Sequence, residues 1–243
     1  MKLSKEEFIF KLSKELENSG FNLSQEKLEK LYLYKELLIE WNEKINLTAI
    51  TDDEEIIIKH ILDSIYLLPH ILDNSKVIDV GTGAGLPGII LAICNENIQV
   101  TLLDALQKRI TFLNDVIEKS QLTNTIAIHS RAEEAGQNNE YREQYDVVVS
   151  RAVASLNVLI ELTAPYAKTN GLCIYMKADK TEQEISQSKK AIQELNLKHI
   201  DTVSYTLKLN EEQITHTLIK YVKKDTTKSK YPRQFSKIKK SPL

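Results

Sequence analysis

KVIDVGTGAGLPGIILAICNENIQVTLLD (76–104) is the stretch on which the fold turns. KVIDV (76–80) is apolar and β-branched, so it reads as a short buried strand. It runs directly into Gly81, Gly83, Gly85 and Gly88. LPGIILAI then resumes as a helix, and QVTLLD (99–104) is a second strand that ends on Asp104. Strand, turn, helix and strand make a βαβ unit. The chain has only seven glycines, and four of them fall within eight consecutive positions. Backbone at such a cluster turns sharply or approaches another group closely.

In an open α/β sheet, ligands bind beyond the carboxyl ends of the strands. Asp104 follows the glycines by about 20 residues, the place from which a carboxylate accepts hydrogen bonds from ribose hydroxyls. The combination predicts a nucleoside-bearing cofactor, and Asp104 weighs against a loop that merely packs a helix on a sheet. Gly83-x-Gly85-x-x-Gly88 matches the dinucleotide fingerprint in letter, but it begins three residues after Val80 instead of in the turn itself. Read from Gly81, the pattern is G-x-G-x-G with Asp79 at the strand end. That arrangement suits S-adenosylmethionine, which has no pyrophosphate and whose ammonium acidic or carbonyl oxygens can meet. No Walker lysine follows the glycines, which disfavours an ATP phosphate loop. An NAD-dependent oxidoreductase stays as a rival of another class.

Upstream, residues 1–75 read as helices. Ser4 with Glu7 has the form of a capping box, followed by Ile9, Leu12 and Leu16. Gly20 closes that helix, Asn22 with Gln25 opens the next, and Thr51 with Glu54 caps a third carrying Ile57, Ile61 and Ile65. Downstream, QKRITFLNDVIEKSQ (107–121) is a helix, TIAIH (125–129) and YDVVVSR (145–151) are strands, a helix spans about 155–168, and GLCIYMK (171–177) is the fifth strand. A helix over 179–196, capped by Thr181 and Glu184, precedes an antiparallel pair, HIDTVSYTL and ITHTLIKYVKK. The predicted fold is α/β, a doubly wound Rossmann-like sheet with a terminal hairpin. Its parts are a helical subdomain (1–75), the sheet domain (76–223) and a basic tail (224–243).

Hydrophobic residues make up 42% and charged residues 27% of 243, enough for a full core. No apolar run is long enough for a membrane span, and MKLSKEEFIFKLSKEL lacks the marks of a secretory signal. Cys94 and Cys173 lie too far apart in sequence for a CxxC pair, which disfavours a disulfide scaffold and fits a cytoplasmic protein. The five histidines show no ligand spacing, so no metal is expected. The net charge of −2 hides a polarity: residues 220–243 hold nine of the 32 bases and one of the 34 acids. A cationic end on an acidic body suggests an edge that meets a polyanion; a solvated, frayed terminus is the alternative.

These residues resemble the RsmG (GidB) family of bacterial methyltransferases. The resemblance runs from about residue 37 to the C-terminus, through NLTAI (46–50), HILDS (60–64), DVGTGAGLPG (79–88), LDALQKRITFL (103–113), RAE (131–133), DVVVSRAVASL (146–156) and the terminal YPR and PL. It implies a class I methyltransferase fold and transfer of a methyl group from S-adenosylmethionine to N7 of a guanosine in small-subunit ribosomal RNA. The substrate would be that RNA or the ribosomal particle, with the enzyme acting as a monomer. By motif, it implies cofactor contacts from Gly81, Leu86, Asp104, Ala105, Leu106, Ala132, Glu133 and Arg151. The chain departs from the family pattern at Asn170-Gly171, at Ala178 and in the lack of a glycine after YPR. A methyltransferase of another RNA, a protein or a small molecule is the alternative, as is a non-catalytic RNA-binding factor.

Guanine N7 presents its own lone pair, so this transfer needs alignment and exclusion of water but no general base. Ser150-Arg151-Ala152 stands where amine- or C5-directed enzymes carry other motifs. Candidate substrate contacts are Arg131, Arg151, Lys177 and Arg233. Arg151 can read guanine O6 or touch the cofactor, or serve only as an ion pair at its strand end. Lys177 can meet phosphate or snorkel at the surface. His60 with Asp63 invites a catalytic reading, but packing of the helical unit accounts for both. Lys237, Lys239 and Lys240 suit phosphate contacts.

Overall fold

Seven strands form one sheet in the order β3-β2-β1-β4-β5-β7-β6. They are β1 (Lys76–Val80), β2 (Gln99–Asp104), β3 (Thr125–His129), β4 (Tyr145–Arg151), β5 (Ala167–Lys177), β6 (Leu197–Leu209) and β7 (Glu212–Lys223). The first five run parallel, and β7 is antiparallel to both β5 and β6. The computed structural model describes residues 2–151, 154–178 and 181–243. Ala152 of the Ser-Arg-Ala motif, and Asp179 and Lys180 at the head of the expected helix, lie outside them.

The helices are α1 (Lys5–Asn18), α2 (Gln25–Asn42) and α3 (Asp53–Glu55), which continues as a π-helix over Ile56–Leu62 into α4 (Asp63–Ile65). Then follow α5 (Gly88–Cys94), α6 (Gln107–Lys119), α7 (Ala132–Ala135), α8 (Leu156–Thr163), α9 (Thr181–Gln187), α10 (Lys189–Glu194) and α11 (Phe235–Lys240). Helices cover both faces of the sheet. That is why β1 and β4 are continuous apolar runs and not alternating ones. Phe8, Leu12 and Leu16 of α1 and Leu31, Tyr34 and Leu38 of α2 join Ile89, Phe112, Val147 and Leu218 in one unbroken cluster. Each such side chain contributes about 1.5–3 kcal/mol by leaving water. The 1–75 segment therefore shares its core with the sheet.

Local details depart from the sequence expectations. The Ser4 and Glu7 capping box is present, but α2 is capped by Ser24, which accepts from Lys27 N, and α3 by Asp52, which accepts from Glu54 N and Glu55 N. Each lies one or two residues from the expected cap. The helix expected over 179–196 is two helices parted at Ser188, whose hydroxyl donates back to Glu184 O. The carboxylate of Glu184 accepts from Leu156 N and pairs with Lys177. Strand β5 starts at Ala167, because the helix after β4 ends at Thr163 in a short 3-10 turn, Ala164–Tyr166.

The 224–243 tail is strapped down along its length. Arg142 donates to the carbonyls of Thr227, Lys228 and Tyr231. Gln137 donates to those of Ser229 and Pro232, and Ile238 of α11 is fully buried.

Candidate active site

Strand β1 lies between β2 and β4, so the direction in which the chain adds strands reverses there. A crevice opens at such a switch point beyond the strand ends. It is a cleft of about 530 Å³, lined by the glycine turn, the ends of β2 and β4 and the turn after β3.

The turn is shaped from beneath. Gly81, Gly83 and Gly85 all adopt positive φ. At Gly85 (φ +86°) an added Cβ would stand 2.5 Å from Ile89 Cγ1, so only glycine fits there. Asp79 is fully buried and turned into the loop, where Oδ2 accepts from Thr82 Oγ1 at 2.6 Å and Gly88 N at 2.9 Å. Burial lifts its carboxyl to about 6, with those two hydrogen bonds pulling the other way. Through Oδ2 it braces the turn, while Oδ1 is buried with no hydrogen-bond partner among the described residues. From the opposite side the buried Tyr34 of α2 donates to Ala84 O at 2.9 Å, a contact that carries no signal in the sequence.

All four glycine amides of the turn are spent inside the protein, as are those of Thr82 and Leu86. Gly81 N and Thr82 N donate to Leu103 O, Gly85 N and Leu86 N to Thr82 O, Gly83 N to Asp104 Oδ2, and Gly88 N to Asp79. A pyrophosphate is held by open N–H groups, and these are not open. The turn suits a ligand that needs close approach without phosphate binding.

Asp104 ends β2 with its side chain only 4% exposed, on the cleft wall. Oδ1 accepts from Leu106 N at 2.9 Å, and Oδ2 from Gly83 N at 3.0 Å and Arg109 Nη1 at 3.1 Å. Two amides thus fix the carboxylate, while the partly exposed Arg109 covers the edge that a ribose diol would take. Next to it Leu106, 45% exposed, offers apolar surface to the cleft. A held carboxylate beside an exposed leucine fits an adenosyl group. Arg109 was not anticipated from the sequence. Gly81, Leu86, Ala105, Ala132, Glu133 and Arg131 also line the cleft, so all eight positions named for the cofactor, and Arg131, come together there.

Arg151, at the end of β4, lines the far side. Nη1 donates to Asp63 Oδ2 at 2.9 Å and Lys59 O at 3.0 Å, so it is an ion pair and a cleft residue at once. Asp63 also accepts from Tyr205 OH at 2.6 Å and lies 2.7 Å from His216 Nδ1. Burial alone would raise the Asp63 pKa, but His216, Arg151 and Tyr205 together hold it below the usual carboxylate range. His60 lines the cleft, with Nε2 at 3.0 Å from Thr48 Oγ1. Burial, aided by Arg151, lowers its pKa to about 4, so the imidazole is neutral at pH 7.

Two expected substrate contacts are committed elsewhere. Lys177 Nζ donates to Ala154 O at 2.7 Å and pairs with Glu184 at 2.8 Å. Arg233 grips Glu161 through Nε at 2.7 Å and Nη2 at 2.6 Å. This two-pronged grip commits its Nε and Nη2 to Glu161, and Nη2 also donates to Ser241 O. Two further cleft residues, Phe235 and Leu162, lacked a sequence signal. Among the described residues no helix is long and apolar enough to cross a membrane, and no group of three or more His, Cys, Asp or Glu is placed to hold a metal ion.

Comparison with known proteins adds a family. Residues 27–215 match the family model GidB, rRNA small subunit methyltransferase G. The chain is 46% identical over 234 residues to Ribosomal RNA small subunit methyltransferase G of Clostridium botulinum (strain Eklund 17B / Type B), covering 96% of this chain and 97% of that protein. It is 48% identical over 225 residues to the protein of the same name from Acetivibrio thermocellus, covering 92% of each. Among solved structures, M. jannaschii TYW2 in complex with AdoMet aligns with a TM-score of 0.52 at 20% identity, over 68% of this chain and 76% of that one. YcgJ of Bacillus subtilis aligns with a TM-score of 0.53 at 10% identity, over 68% of this chain and all of that one; both likenesses concern the fold alone. With a family model matching more than half its length and relatives near half identical from end to end, this chain belongs to the GidB family, rRNA small subunit methyltransferase G.

Proposed function

We propose that the chain transfers a methyl group from S-adenosylmethionine to N7 of a guanosine in small-subunit ribosomal RNA, acting as a cytoplasmic monomer on RNA or a ribosomal particle. The observation that carries the cofactor is the pairing of a held carboxylate, Asp104, with a turn whose four glycine amides are internally satisfied. When bound, S-adenosylmethionine supplies an electrophilic methyl group. Asp104 meets the ribose hydroxyls in place of Arg109, and Leu106, Ala132 and Glu133 border the purine. Gly81 and Leu86 lie against the remainder.

The acceptor nitrogen brings its own electron pair, so the chain has only to align it and keep water out. The neutral His60 fits that requirement: it adds no cation beside an electrophile. Arg151, fixed by Asp63 and Lys59 O, has Nη2 and Nε as donors toward guanine O6. Arg131 in the cleft, with Lys237, Lys239 and Lys240 on α11, whose first residue Phe235 lines the cleft, supplies positive charge for phosphates.

Incubation with labelled S-adenosylmethionine and small ribosomal subunits lacking the modification tests this. Label on one guanosine, located by mass spectrometry, is the expected result. Cofactor binding with no transfer to the RNA contradicts it.

A further inference from the structure

Glu161 is a fully buried carboxylate in the apolar helix α8, LNVLIELT. A buried charge persists only when paired and hydrogen-bonded, and its partner is Arg233 from the tail. Oε1 accepts from Arg233 N at 3.0 Å and Nε at 2.7 Å, and Oε2 from Nη2 at 2.6 Å. Sequence just before this clamp lies on α7: Pro232 packs on Gly136, where an added Cβ would stand 3.0 Å from Pro232 Cγ, and Gln137 donates to Pro232 O at 3.0 Å. Just after it, Ile238 is buried with Val158 and Leu162 against Ala132. The residue held between these anchors is Phe235. It lines the cleft with Leu162 and Ala132 and is 38% exposed.

We infer that this C-terminal strap is part of the cofactor site, with the ring of Phe235 forming the wall against the purine. This rests on the S-adenosylmethionine reading above. The order of the strands says which end of the ligand Phe235 meets. The methyl-bearing end belongs near β1 and β4, where Arg151 and the acceptor base meet. The ribose belongs to Asp104 on β2, which leaves the purine toward β3 and α7. Pro232 and Ile238, three residues to either side of Phe235, both rest on α7 or on Ala132 at its start. The part-exposed ring, on so firmly anchored a segment of the cleft wall, offers a face on which a base can stack.

Titration calorimetry with S-adenosylhomocysteine and with adenosine tests the inference on the full-length chain. Phe235→Ala should weaken both ligands by about tenfold, toward the lower part of the range for base–aromatic stacking because the ring keeps solvent contact. Phe235→Trp, which keeps a stacking face, should stay within about twofold of wild type. Phe235→Ala should keep the wild-type thermal midpoint, since Arg233 and Ile238 still hold the strap. Wild-type affinity in Phe235→Ala, or a loss seen with S-adenosylhomocysteine but not with adenosine, overturns the inference. A wild-type protein that binds neither ligand overturns the cofactor reading itself.

Discussion

Replacing Asp63 with alanine strips three donors of the acceptor they share. The carboxylate is 1% exposed and takes Arg151 Nη1 at 2.9 Å, Tyr205 OH at 2.6 Å and His216 Nδ1 at 2.7 Å. Removing one member of a buried ion pair costs about 3–5 kcal/mol. Arg151 is 16% exposed and keeps its bond to Lys59 O, so the lower figure, about 3 kcal/mol, applies. Asp63→Asn leaves an oxygen for one donor and should lose about 1–2 kcal/mol. Urea unfolding at pH 7 reads both, and the alanine variant should shift the midpoint by roughly 1–1.5 M. Since the Asp63 pKa is lowered in the fold, its contribution is complete above the ordinary carboxylate range. It is lost as the pH falls through the lowered value, so the gap between wild type and Asp63→Ala should close in acid. An alanine variant within about 0.5 kcal/mol of wild type, the range of an ordinary surface change, would refute the reasoning.

Gly85→Ala combines a positive φ with a Cβ 2.5 Å from Ile89 Cγ1 and 2.9 Å from Leu113 Cδ2, so thermal unfolding should show a loss of about 2–4 kcal/mol. His60 has its pKa lowered to about 4 by burial and then by Arg151; the unfolded chain therefore takes up a proton first. Wild-type stability should fall as the pH drops from 6.5 toward 4, and His60→Gln should show a flatter profile over that window. Joint replacement of Lys237, Lys239 and Lys240 by alanine should reduce the slope of log affinity against log salt for small-subunit RNA by about 2–3. Affinity for S-adenosylhomocysteine should not change in that variant.

What was legible in the sequence follows from burial and from local chemistry. Strands β1, β2 and β4 end within two residues of their apolar runs, because both faces of the sheet are covered there and no alternation blurs the limits. The glycine turn and Asp104 were legible because their spacing is itself the geometry of the site. Caps were less so: Asp52 stands beside Thr51, and Ser24 near Asn22, and either side chain can cap a helix. Least legible were the destinations of long cations. Arg233 and Lys177 end on Glu161 and Glu184, and no local pattern tells a clamped arginine from a phosphate contact. The Asp63 site brings together residues 63, 151, 205 and 216, and only the return of β6 and β7 beside the π-helix places them in reach. Tyr34 on Ala84 is likewise a product of tertiary packing.

A crystal structure of the protein soaked with S-adenosylhomocysteine tests the central claim most directly. The ribose hydroxyls should lie within hydrogen-bond distance of Asp104, with Arg109 moved off that carboxylate and the purine beside Leu106. Ligand density elsewhere on the surface, with Arg109 still seated on Asp104, would contradict the account.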